Sequence, residues 1–450
     1  MIYKTEKELL LKSKEAIGKT FSEIDSNNRL SNGNKGNLGQ IIEESHFGYE
    51  INSNSEADFK ELGIELKVTP FKKNKNKTLS AKERLVLNII NYLEEVNYDF
   101  ESSSFWRKNQ KLLLMFYEWL PEIDRRDYKV VESIVYNFPE EDLAVIKKDW
   151  ELIVSKIRAG EAHLLSEGDT NYLGACTKGA NKSSVRKQPF SDELAMQRAF
   201  SLKQGYMTAI VREYITDEKL LNFASQSQLK EKTIEQLLHE KFDPYVGMTV
   251  EEMASKLEVN INLSNKASVA NLISTLLGVK GTKLDKIAEF AKANIQFKTV
   301  RLQTNGMPKE HMSFVNIDFK EVIKEDWETS YINEYFTNTQ ILFVVFQFDA
   351  DNQLIFKGIK LWHLPYSILE SKLQEFWYEL NRILKEGVVL TPTSRGVSNN
   401  LPGAKFNYYF HVRPKGKDGN DKVELPDGQQ ITKQCYWMNR EYVTEIVKDI

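Results

Sequence analysis

Residues 58–67 read Asp58-Phe59-Lys60-Glu61-Leu62-Gly63-Ile64-Glu65-Leu66-Lys67, and Val68 continues the line. Ile64, Leu66 and Val68 alternate with Glu65 and Lys67, the period of two that marks a strand with one apolar face. Glu65 and Lys67 therefore project together from the other face. Asp58 stands seven residues before Glu65, which completes the pattern D-x6-E-x-K. Hydrolysing a phosphodiester needs a hard cation against the charge that develops on phosphorus, and carboxylate oxygens are the ligands such a cation takes. It also needs a water held in line with the leaving oxygen, which a lysine beside the cation can orient. In that chemistry Asp58 and Glu65 hold the metal and Lys67 stands near the nucleophile.

Upstream, Asn34-Lys35-Gly36-Asn37-Leu38-Gly39-Gln40-Ile41-Ile42-Glu43 matches Asn265-Lys266-Ala267-Ser268-Val269-Ala270-Asn271-Leu272-Ile273-Ser274 position by position, at an offset of 231. The same offset lays Ile64-Glu65-Leu66-Lys67 on Ile295-Gln296-Phe297-Lys298. Other landmarks recur in order. Gly18-Lys19-Thr20 returns as Gly247-Met248-Thr249, Trp150 and Gly160 as Trp377 and Gly387, and Phe200 and Tyr206 as Tyr436 and Tyr442. An internal repeat of this length predicts two domains of one fold, 1–216 and 232–450, joined by a polar linker over 217–231.

Within each unit the pattern predicts an N-terminal helix, a second helix after the Lys35 turn, and a strand at 63–68. A strand at 111–119 and a helix at 141–158 follow in the first unit. Strands and helices mixed in this order predict an α/β (α+β mixed) fold with a central sheet. Glu43 lies on the second helix, whose core face runs through Leu38, Ile41 and Ile42. From there it could ligate a second metal or fix the Lys67 ammonium.

At the equivalent positions of the second unit, Glu43 has become Ser274, Asp58 has become Glu289 and Glu65 has become Gln296, whereas Lys298 and the apolar framework persist. One chemically competent copy and one retired copy is the reading this favours. The turn from Gly33 to Gly39 follows no apolar strand and lacks G-x-x-x-x-G-K-[ST], which argues against a nucleotide site. A helix N-terminus after that turn could instead meet a DNA phosphate at Lys35 and Gly36, and Lys266 stands at the matching place.

Composition sets the outer bounds. The 450 residues are 41% apolar and 28% charged, with 24 Phe and 19 Tyr for packing, a globular balance that calls for more than one core. Apolar runs such as Leu112–Tyr117 and Ile341–Phe346 are too short to span a bilayer and read as buried strands. The N-terminus lacks an export signal, so a cytoplasmic location is expected. Two cysteines and six histidines give no zinc spacing and no disulfide framework. A net charge of −3 leaves nucleic acid open, because Lys67, Lys72, Lys73, Lys75 and Lys77, and again Lys178, Lys182, Arg186 and Lys187, concentrate positive charge locally.

At these residues the chain resembles the MutH family of GATC-cutting DNA endonucleases. Lys35-Gly36, Gly39-Gln40 and Glu43 look like its helix motif, Asp58 to Lys67 like its catalytic strand, and Phe200-Ser201-Leu202-Lys203 like its F-x-L-K segment. Blocks at Lys82 to Tyr92 and Cys176 to Asn181 are similar to the two-domain type II restriction enzymes of that family, the Sau-three-A type. The resemblance implies two tandem restriction-endonuclease-like domains, the second degenerate, and Mg2+-dependent double-strand cleavage of unmethylated duplex DNA at GATC. It also implies a second copy of the site bound by the C-terminal domain, a monomer that pairs on DNA, and a cognate DNA methyltransferase. Lys203 is carried over as a DNA contact.

One departure stands out. Where the mismatch-repair enzymes carry an Arg-Pro-Lys run, this chain has Cys176-Thr177-Lys178, and the run returns only as Arg413-Pro414-Lys415. Lys178 could still donate to a guanine edge or could cap a loop. Two rival functions are a strand-nicking repair-type endonuclease and a non-catalytic DNA site sensor.

Overall fold

The computed structural model describes residues 3–32, 37–49, 56–179, 183–261, 266–394 and 396–450. The chain divides into two compact units. One comprises residues 1–234 and 285–294, the other 235–284 and 295–450.

In the first unit a four-stranded sheet runs in the order Leu79–Ala81, Glu65–Lys73, Lys111–Glu118, Val130–Asn137. Its central pair is parallel, with Glu65 opposite Leu112 and Lys67 opposite Leu114, and both outer strands are antiparallel to it. Leu112 to Phe116 are buried without alternation, because the middle strand of a covered sheet meets protein on both faces. The helix Glu6–Lys14 lies against the Val130–Asn137 strand, where the Ser133 hydroxyl donates to that of Ser13 at 2.7 Å. The helix Glu140–Arg158 buries Val145, Ile146, Trp150, Ile153, Val154 and Ile157 along one stripe. A smaller antiparallel sheet places Arg198–Leu202 between Leu85–Ile89 and Leu173–Thr177.

The second unit repeats the plan. Ile295–Leu302 pairs in parallel with Gln340–Phe348, which pairs antiparallel with Leu354–Trp362. Gln296 falls opposite Ile341 and Lys298 opposite Phe343, the register positions of Glu65 and Lys67. Its small antiparallel sheet centres on Gln434–Met438, between Met312–Asn316 and Phe410–Pro414. Tandem mixed sheets flanked by helices are the fold class read from the repeat.

Residues 217–231, expected as a linker, include the helix Gln226–Glu231, capped by Ser225 and burying Leu229. The Lys148 ammonium donates to the carbonyls of Leu229, Lys230 and Lys232, so this stretch is folded onto the first unit. Among the described residues no helix is long and apolar enough to cross a membrane. Cys176 and Cys435 are buried free thiols.

Candidate active site

The spacing D-x6-E has a structural cause. After Phe59 the chain makes a one-turn 3-10 helix, Lys60–Leu62, closed by Gly63 at φ +62°, a left-handed conformation that glycine adopts without penalty. Phe59 and Ile64 then exchange backbone hydrogen bonds at 2.9 and 3.3 Å. The turn folds Asp58 back against the start of the strand. The Asp58 N–H donates to Glu65 Oε2 at 3.1 Å, and the Leu66 N–H donates to Asp58 Oδ2 at 3.0 Å.

Glu65 is 3% exposed although it carries a carboxylate. Lys67 Nζ donates to its Oε1 at 2.8 Å, and Lys108 Nζ stands 3.7 Å from the same oxygen. The strand thus holds Glu65 and Lys67 on one face, as the alternation requires, while Ile64 and Leu66 are buried behind them.

Glu43 comes from a helix that changes pitch beneath the site. Asn37–Ile41 is α-helical and Ile42–His46 is a π-helical turn, a local widening that is frequent at functional positions. Burial pushes the Glu43 carboxyl up, Lys67 opposes that shift and Glu65 adds to it, so the three groups share one electrostatic neighbourhood. Burial is also the largest cause that raises Asp58, to about 7, with Glu65 and Glu43 adding and the Leu66 N–H and Lys67 opposing. Two adjacent, desolvated carboxylates with raised proton affinity are short of positive charge, which is what a divalent cation supplies.

The donor set is all oxygen, the chemistry of a hard cation of the Mg2+ class. Among the described residues no three or more His, Cys, Asp or Glu side chains close into a ready-made metal cage. Asp58 and Glu65 would therefore provide part of a coordination shell, leaving room for water and phosphate oxygens, as small hard cations favour.

Two residues at this site were not picked out by sequence reasoning. Lys108 lies in the last turn of the helix Ser104–Asn109, three residues before the strand parallel to Glu65–Lys73, and only that pairing brings it to Glu65. Tyr49 follows the π-helical turn and packs edge-on against Phe59, ring centroids 5.5 Å apart. Its hydroxyl is buried without a hydrogen-bond partner, and its proton affinity is raised by burial first and then by Asp58, Glu43 and Glu65. Its hydroxyl thus lies in the field of three carboxylates with its donor unused.

The expected DNA contacts divide. Lys35 and Gly36 lie outside the described residues, as does the side chain of Lys266. Lys178, Arg413 and Lys415 are exposed, at or just beyond the ends of matching strands, Leu173–Thr177 and Phe410–Pro414. Lys203 does not join them. It is 2% exposed and its ammonium donates to the Thr170 carbonyl, so it faces the interior of the first unit and not a DNA surface.

In the second copy of the repeat the equivalents are differently engaged. Gln296 accepts from the Tyr335 hydroxyl at 2.6 Å, Ser274 bonds back to the Asn271 carbonyl, and Glu289 accepts from the backbone N–H groups of Phe223 and Ala224.

Comparison with known proteins gives this arrangement its relatives. The family described as "DNA mismatch repair enzyme MutH" matches residues 47–149 and again 281–374, one segment in each half. The type II restriction enzyme Sau3AI of Staphylococcus aureus is 37% identical over 100% of this chain and 99% of its own length. The DNA mismatch repair protein MutH of Shewanella woodyi is 30% identical, over 46% of this chain and 91% of its own. That of Pasteurella multocida is 26% identical, over 42% and 84%. The repair proteins correspond to about half of the chain, whereas the restriction enzyme corresponds to all of it. The chain belongs to the MutH-related family of type II restriction endonucleases and is a site-specific deoxyribonuclease.

Proposed function

We propose that the first unit cuts both strands of unmethylated duplex DNA at GATC with Mg2+ held by Asp58 and Glu65. The observation that carries this reading is the cluster at one strand end, in which the Lys67 ammonium lies 2.8 Å from Glu65 and the Asp58 backbone bonds to the same carboxylate. When bound, the cation neutralises charge developing on the scissile phosphate and polarises a water. Lys67 orients the attacking water, and Lys108, beside the same Glu65 oxygen, meets the phosphate oxygens. Glu43 fixes the Lys67 ammonium by its charge and accepts a proton from the water.

Residues 1–216 form the catalytic domain and 232–450 a degenerate domain that binds a second copy of the site as an effector. Lys35, Gly36 and Lys178 contact DNA in the first domain, and Lys266, Arg413 and Lys415 in the second. The protein is a monomer when free and pairs on DNA, in the cytoplasm, beside a methyltransferase that protects the host's own sites.

The test is digestion of a plasmid of known sequence with Mg2+, followed by mapping of the ends. Double-strand ends at every unmethylated GATC are expected, and Asp58→Asn should reduce cutting by at least about a thousandfold, as loss of a metal ligand does, while duplex binding persists. Nicked circles in place of linear products would point to the repair-type reaction. Undiminished cutting by Asp58→Asn would reject the site.

A further inference from the structure

The strand Ile295–Leu302 keeps the lysine of the first unit without its acid. Lys298 Nζ donates to the Ser313 carbonyl at 2.9 Å and sits 4.9 Å from the Phe314 ring centroid, and Lys415 donates to the hydroxyl of the same Ser313. Both lysines line a cavity of about 920 Å3 within the second unit, together with Arg301 and Lys309. Its acidic lining residues, Glu251 and Glu310, make no ion pair with Lys298 or Lys415 among the described residues. Where the first unit sets a carboxylate 2.8 Å from Lys67, the second sets only a neutral amide at Gln296, itself held by Tyr335.

A half-buried ammonium beside a second cation, with no carboxylate paired to it, is an unfavourable arrangement that an anion would relieve. Burial and Lys415 push the Lys298 ammonium down to about 8, the opposite of what an ion-paired lysine shows. The cavity is far roomier than one inorganic phosphate requires, since volumes of about 300–1,000 Å3 hold drug-sized molecules. It also reaches Lys415, next to exposed Arg413, whose guanidinium lies 5.5 Å from the Trp437 ring centroid. These features suit a phosphate that is part of a larger polyanion.

We propose that this cavity holds a backbone phosphate of duplex DNA between Lys298 and Lys415 without any metal. The geometry that in the first unit gathers a cation is here converted to gathering an anion. The proposal rests on the nuclease reading above in taking duplex DNA as the source of the phosphate, and names where the effector copy is gripped.

The test uses the full-length chain in EDTA with a labelled duplex carrying one GATC site, its affinity measured across a salt series. Lys298→Gln and Lys415→Gln should each weaken binding severalfold and flatten the plot of log affinity against log salt by about one, the signature of one lost phosphate contact. Lys298→Arg should restore both. Lys415 is exposed, so its variant carries the test should Lys298→Gln fail to fold. In parallel, inorganic phosphate should raise the melting temperature of the parent protein and not of Lys298→Gln. Unchanged affinity and slope in both Gln variants would overturn the proposal. A phosphate-dependent melting shift lost in Lys298→Gln, with DNA binding unaltered, would also overturn it, leaving a free-phosphate site. Failure of the nuclease reading shows elsewhere, as absence of Mg2+-dependent cutting by the parent protein.

Discussion

The six residues between Asp58 and Glu65 carry no chemistry, yet their number places the two carboxylates together. One 3-10 turn and a left-handed Gly63 use them up, and the chain returns with Asp58 alongside the strand it has just entered. Crowding of this kind leaves a thermodynamic trace. Folding raises the proton affinity of Asp58 to about 7 and raises that of Glu43, each chiefly through burial. A carboxyl whose folded value exceeds its unfolded one gives stability that is complete below the unfolded value and is lost as pH rises through the folded one. The metal-free protein should therefore lose stability from about pH 4 to about pH 7, by up to about 4 kcal/mol from Asp58. Asp58→Asn should remove most of that slope and stabilise the metal-free protein at pH 7.5 although it abolishes cutting. Mg2+ should stabilise the parent most at the upper end of the window, where protons no longer compete. Urea unfolding at several pH values in EDTA and in Mg2+ measures all three, and a flat profile for the parent protein in EDTA would contradict the crowding. Glu65 and Lys67 were legible in the sequence because period-2 alternation fixes their common face. Lys108 and Tyr49 were not, because each arrives through a contact between separate segments that no local pattern encodes.

Elements were more legible than contacts. The apolar run Leu112–Tyr117 reads as a buried strand and is one, within Lys111–Glu118, and the helix expected over 141–158 is Glu140–Arg158. What the pattern could not give is direction. Parallel pairing of Glu65–Lys73 with Lys111–Glu118 follows from the crossover between them, and it alone sets Lys108 beside Glu65. Nor could it tell a buried lysine from a DNA-facing one. Lys203 joins the strand Arg198–Leu202 to the helix Gln204–Thr216, a position open to either role on sequence grounds. In the fold its ammonium meets the Thr170 carbonyl in the field of Asp149, which itself accepts from the N–H groups of Asn171, Tyr172 and Leu173. Burial pushes Lys203 down to about 8, with Asp149 opposing. Lys203→Met should thus act on the fold, lowering stability by about 1–3 kcal/mol as a buried acceptor loses its donor. The salt dependence of duplex binding by the folded variant should not change. A slope flattened by one at unchanged stability would return Lys203 to the DNA surface.

At the scale of the whole chain, duplication was readable as matching blocks at an offset near 231, but the packing does not follow the repeat boundaries. Residues 285–294 belong to the second copy by sequence and to the first unit by contact. Lys292 Nζ lies 2.6 and 2.8 Å from the two oxygens of Asp142, a residue 2% exposed, and the Tyr206 hydroxyl donates to the same carboxylate at 2.9 Å. Glu289 holds the N–H groups of Phe223 and Ala224. Gly205 lets the chain approach so closely that a Cβ there would stand 2.7 Å from the Ala291 carbonyl oxygen and 2.9 Å from that of Lys292. No periodicity announces such a segment, since an ion pair across 150 residues of sequence leaves no local signal. A fragment ending at Ile234 keeps every candidate catalytic residue of the first unit but leaves Asp142 buried without its cation. Removing one partner of a buried pair costs about 3–5 kcal/mol, a large share of the roughly 5–15 kcal/mol that holds a domain folded. The fragment should accordingly unfold at lower urea than the full chain, and Lys292→Met in the full chain should reproduce much of the loss. Burial already raises the Asp142 carboxyl, with Lys292 opposing, so without the lysine it rises further and the deficit should narrow as pH falls and the group is neutralised. Asp142→Asn should recover stability in the fragment, where it removes an orphaned charge, and lower it in the full chain, where it breaks a pair. Opposite signs for one substitution in two backgrounds are hard to obtain from a surface effect. Equal signs would mean that residues 285–294 are not what completes the first unit.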